Sequence, residues 1–98
     1  MTGLIIHAPT EGALKRARSN YRNYSKLNPD AKIVIVANGL AAKAVVDAPD
    51  QETDSILLLC ENSLIAQNLK APSHIKTIPA AIIALDEMQI TGWRYVRA

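Results

Sequence analysis

The feature that most constrains this chain is a repeated switch of period. Short apolar runs, Leu4 to Ala8, Lys32 to Val36, Ile56 to Leu59 and Ile75 to Ile78, alternate with segments whose apolar residues recur at helical spacing. Runs this short, continuous rather than alternating with polar residues, read as strands buried on both faces. Strands of that kind separated by helices argue for an α/β fold. It would be a three-layer α/β/α domain with a five-stranded, mostly parallel sheet and right-handed crossovers. The 98 residues make a single domain, 1–98, with no internal repeat.

The punctuation between the runs fits that reading. Pro9-Thr10-Glu11-Gly12 is a turn, with Thr10 as helix N-cap and Glu11 in the first turn complementing the helix dipole. The first helix runs to about Lys26. Its inward stripe is Leu14, Ala17, Tyr21 and Tyr24; Lys15, Arg16, Arg18, Ser19, Arg22 and Asn23 form the opposite, solvated side. Asn28-Pro29-Asp30 stops it. Asn38-Gly39 ends the second strand, a short helix spans Leu40 to Val46, and Ala48 to Asp54 is a solvated polar loop. A helix follows the third strand as far as Leu69, and Ala71-Pro72-Ser73 is a turn. Pro79 precedes or opens a helix from Ala80 to Ile90, which Thr91-Gly92 closes. Trp93 to Arg97 alternates and forms a fifth strand at an edge. The Ala80 to Ile90 helix is apolar nearly all round, which in so small a domain points to an interface between subunits.

Composition narrows the function. The net charge of +2 is too small to argue for nucleic acid, and no apolar run approaches the ~20 residues of a membrane span. The N-terminus lacks the basic start of a signal peptide. One cysteine excludes an internal disulfide and fits a reducing, cytoplasmic setting. His7 and His74 have no neighbours at metal-ligand spacing, so no metal is expected. The acids of the 48–54 loop lack the glycine and terminal glutamate of a calcium loop. Phosphate-binding glycine loops, C-x-x-C and a G-x-S-x-G elbow are all missing, and no cofactor is expected.

What remains is Cys60, at the point where the third strand gives way to a helix. In an open parallel sheet the loops past the strand carboxyl ends converge on one rim. That rim would gather His7, Thr10, Asn38, Gly39, Cys60, Glu61, Asn62 and Ser63. A thiol beside the free N–H groups of a helix start suits a cysteine nucleophile, although Glu61 opposes a thiolate by like charge. Lone cysteines are, however, more commonly buried and inert, so a structural role is the other reading of Cys60.

Four short motifs carry a family resemblance: Ile5-Ile6-His7, Val36-Ala37-Asn38-Gly39, Cys60-x-Asn62-Ser63-Leu64, and Gln89-x-x-Gly92-Trp93-x-Tyr95-Val96-Arg97. In this order and spacing the chain resembles the DsrE/DsrF-like family, which includes subunits of bacterial sulfur relays. The resemblance implies a parallel five-stranded α/β/α fold and assembly into homotrimers or homohexamers. It also implies a cysteine at the end of the third strand, matched by Cys60, that carries sulfane sulfur as a persulfide between donor and acceptor proteins. The alternative is a non-enzymatic oligomeric module that binds a small ligand or partner at the same rim, with Cys60 structural.

Overall fold

In a computed structural model, which describes residues 2–98, the strands are β1 (Leu4–Ala8), β2 (Ile33–Ala37), β3 (Leu57–Cys60), β4 (Lys76–Ile78) and β5 (Arg94–Arg97). The helices are α1 (Glu11–Leu27), α2 (Ala41–Asp47), α3 (Glu61–Ala66) and α4 (Ala81–Ile90). The sheet has the order β4-β3-β2-β1-β5, and every pairing is parallel. The expected α/β architecture is therefore the observed one.

The strand order dictates the layers. The connections from β1 to β4 all step the same way across the sheet, so right-handed crossovers put α1, α2 and α3 on one face. The connection from β4 returns past the whole sheet to the far side of β1. The same handedness then puts α4 on the opposite face. Side-chain burial follows this division. Leu4, Ile6, Ile33, Ile35, Leu57 and Leu59 pack with Leu14, Ala17, Val45 and Leu64 under the three helices. Ile5, Val36 and Cys60 pack with Ala81 and Leu85 of α4. Among the described residues one ten-residue helix covers that second face, and Val34 and Leu58 remain half-buried there.

Helix ends behave as their residues require. The Thr10 hydroxyl accepts from the Ala13 N–H at 3.0 Å and caps α1. The third strand begins one residue later than expected, because Asp54–Ile56 forms a 3-10 turn, and it includes Cys60. The helix after it stops at Ala66 rather than Leu69. There Asn68 adopts a left-handed φ of 54°, while the N–H groups of Asn68 and Leu69 donate to the Ile65 and Leu64 carbonyls. Those two bonds form a Schellman stop, and asparagine is one of the few residues that tolerates its conformation.

Two expectations fail at the basic side of α1. Arg18 is buried, not solvated, and donates to Asp54 Oδ1 at 3.4 Å. The 48–54 segment is not a loose solvated loop but a folded acidic clamp. Asp50 Oδ1 accepts from the N–H groups of Glu52 and Thr53, and Asp54 Oδ2 accepts from the Asp50 N–H. The clamp holds the guanidinium of Arg22 through Asp50 and Glu52. Helical periodicity placed Arg18 beside residues that do face water, but a buried carboxylate from a distant loop supplies it with a partner.

Candidate functional site

Cys60 ends β3 and stands at the N-cap position of α3, as the strand-to-helix switch predicts. Its side chain points to the α4 face of the sheet and is 4 % exposed. The Ala81 N–H, at the start of α4, donates to Cys60 Sγ at 3.4 Å. Burial opposes ionisation of this thiol. The Ser63 hydroxyl and the N–H groups of Ala81, Ser63 and Asn62 outweigh it, holding the pKa below the usual thiol value.

Ser63 also braces the neighbouring loop, because its hydroxyl accepts from the Gly39 N–H at 2.8 Å. Gly39 has a φ of 57°, and a Cβ there would lie 2.8 Å from the Pro9 carbonyl oxygen, so glycine is required. Gln67 completes the brace by donating to the Gly39 and Ser63 carbonyls at 2.8 and 2.9 Å. The carboxylate of Glu61 accepts from the Thr77 hydroxyl at 2.7 Å, which ties it to β4. Asn62 is exposed, and its N–H lies 3.4 Å from the Pro79 carbonyl oxygen.

His7 also faces the α4 side, since it follows Ile5 by two residues along β1. Two strand spacings nevertheless separate β1 from β3, about 10 Å, so the imidazole is not a hydrogen-bond partner of the thiol. Its Nε2 lies 2.8 Å from Asn38 Oδ1 and its Nδ1 lies 2.6 Å from the Tyr95 hydroxyl. With Asn38 Oδ1 as acceptor, Nε2 carries the proton and Nδ1 accepts from Tyr95. The chain order reverses between β1 and β5, and His7 meets Tyr95 across that switch, the place where open parallel sheets form their crevice. Thr10 contributes a helix cap rather than a group at the thiol.

The rim thus comprises two adjoining units. One is the Cys60–Ser63–Gly39 unit, with Ala81 across the sheet edge. The other is the Asn38–His7–Tyr95 chain. Tyr95 is the member that sequence reasoning missed, and the alternation of β5 was the available signal that it shares a face with His7. Among the described residues no group of three or more histidine, cysteine, aspartate or glutamate side chains is placed to hold a metal ion. A cavity of about 610 Å³ lies on the other face, between α1 and α2, away from the thiol.

Fold and site together define a parallel α/β/α protein with one buried cysteine at a strand-to-helix junction, its Sγ accepting from the first N–H of α4. The architecture is similar to that of a solved protein of unknown function, MTH1491 from Methanobacterium thermoautotrophicum, over 100% of both chains, with a TM-score of 0.76 and 18% identity. A scan against models of protein families finds no match, and no curated protein matches.

Proposed function

We propose that this chain is a sulfur-transfer protein of the DsrE/DsrF-like kind, in which Cys60 carries sulfane sulfur as a persulfide. The observation that supports it is the donor set at Cys60 Sγ, which favours a thiolate even though the residue is largely buried. In the loading step the thiolate attacks the outer sulfur of a donor such as thiosulfate. A Cys60 S–S bond forms, the donor's S–S bond breaks, and sulfite leaves with the electron pair. No external oxidant is needed. The same N–H groups that favour the thiolate favour the persulfide anion. An acceptor nucleophile then takes the outer sulfur and returns Cys60 to its thiolate. Ser63, Gly39 and Asn62 hold the junction, while His7, Asn38 and Tyr95 shape the neighbouring part of the rim.

The reading includes donor and acceptor proteins as partners, a reducing cytoplasmic setting, and a homotrimer or homohexamer assembled through α4. Support for the assembly comes from Ile82, Ile83 and Ile90, which are 73, 55 and 75 % exposed on one short helix. Among the described residues no helix is long and apolar enough to cross a membrane.

Cyanide provides the functional test, because it takes the outer sulfur of a persulfide as thiocyanate. Protein loaded with polysulfide and freed of excess reagent should release about one thiocyanate per chain, as a single sulfur on one cysteine requires. Cys60→Ser should release none. Wild-type protein that releases no thiocyanate would remove the carrier reading. The burial of Cys60 favours the second reading, a binding or assembly module with a structural thiol, and that outcome would establish it over the first.

A further inference from the structure

We propose that the first turn of α4 is a lid over Cys60. Closed, it rests on the thiol, and it must lift, with the rest of the fold intact, before a sulfur donor reaches Sγ. The inference rests on the carrier reading for its purpose, since an inert thiol needs no entrance.

The sheet fixes most of what surrounds the sulfur. Cys60 is 4 % exposed, shares its face with Ile5 and Val36, and lies level with Ile78 of β4. Those neighbours are held by the main-chain ladders of the sheet. Ser63 belongs to α3, which is tied to the Gly39 turn by the Ser63 hydroxyl and by Gln67. The remaining cover is the Pro79–Ala81 crossover and the first turn of α4, where the Ala81 N–H reaches Sγ at 3.4 Å.

That cover is lightly held. Sulfur is a weak acceptor, so the bond from Ala81 closes the lid without locking it. The Asn62 N–H lies 3.4 Å from the Pro79 carbonyl oxygen, and the Ala84 N–H lies 3.3 Å from that of Ala80, both beyond the usual range. Ala80 holds the N-cap position with extended backbone, φ −151° and ψ 131°, but alanine offers no side-chain acceptor to the first-turn N–H groups. Ala81 is the turn's one buried side chain, so lifting the turn uncovers a single buried methyl group. Ile82 and Ile83 already face outward. Leu85, one turn on, stays packed on the sheet as the anchor. At the far end the Gly92 and Trp93 N–H groups donate to the Gln89 and Met88 carbonyls, both at 3.0 Å. A helix tied at one end and loose at the other opens locally at the loose end. Subunits packed on Ile82 and Ile83 would steady the same turn from outside.

The test reads access rather than sulfur chemistry. Native protein, in the assembly it forms, is alkylated with iodoacetamide, and hydrogen exchange at the Ala81 amide is followed under the same conditions. Both should be slowed by about the same factor relative to unfolded protein. Both should respond to low urea far less steeply than global unfolding does. Ala80→Ser supplies the missing cap and should slow both about fivefold; Ala84→Gly weakens the turn and should quicken both about fivefold. Neither side chain belongs to the core, and urea unfolding checks that each variant folds. Three results would overturn the lid. One is native Cys60 alkylated as fast as in unfolded protein. A second is alkylation and Ala81 exchange that both follow global unfolding. The third is an alkylation rate that neither variant changes. Thiocyanate release alongside any of these would keep the carrier and remove the lid, whereas matched rates without thiocyanate would keep the lid and remove the carrier.

Discussion

Ser63 joins the thiol and the turn that abuts it: its hydroxyl accepts from Gly39 and heads the hydrogen bonds that lower the Cys60 pKa. Ser63→Ala should therefore move that pKa up. At neutral pH it should slow iodoacetamide alkylation of native protein about threefold, a modest loss for one hydrogen bond to a charged group. The pH–rate profile checks this. In wild type the rate should reach its plateau below the ordinary thiol pKa of about 8.5, and the variant's plateau should lie higher. Stability follows the same linkage. Because the folded pKa is the lower one, the thiolate's contribution is complete above the unfolded value and is lost as pH falls through the folded value. Cys60, Asn62 and Ser63 were legible as a group because a strand-to-helix switch is a local pattern. Tyr95 was not, since it reaches His7 across 88 positions of sequence and only strand order makes them neighbours.

Among the elements, α1 depends most on a distant segment. Burial opposes ionisation of Asp50, but the Arg22 guanidinium and the N–H groups of Glu52 and Thr53 hold its carboxyl below the usual range. The clamp's contribution is thus complete above the unfolded carboxyl pKa, about 3.9, and fades as pH falls through the lower folded value. Asp50→Asn should flatten the acid limb of a stability-versus-pH curve, measured by urea unfolding between pH 2 and 6. Arg18→Ala should cost about 3 kcal/mol at neutral pH, because it leaves Asp54 buried without its guanidinium. The existence and order of strands and helices were legible from period alone. The boundaries around β3 and α3 were not. There a 3-10 turn displaced the strand start, and a left-handed asparagine ended the helix inside an apolar pattern that continues to Leu69.

For the whole molecule, the return crossover leaves α4 alone on one face, with Cys60 beneath its first residue. The proposed assembly places subunits against that helix. Ile82→Glu with Ile83→Glu should give a folded monomer by light scattering, with wild-type helical content, because neither side chain belongs to the core. A wild-type protein already monomeric at micromolar concentration would contradict the assembly. In the proposed carrier, Cys60, although buried, is an accessible sulfur-accepting thiolate in the native protein. Intact-mass spectrometry after exposure to a sulfane-sulfur donor tests it most directly. Native wild-type protein should gain about 32 Da on Cys60, and dithiothreitol should remove it. Protein that stays unmodified when native, yet loads readily once denatured, would show a sequestered thiol and contradict the claim.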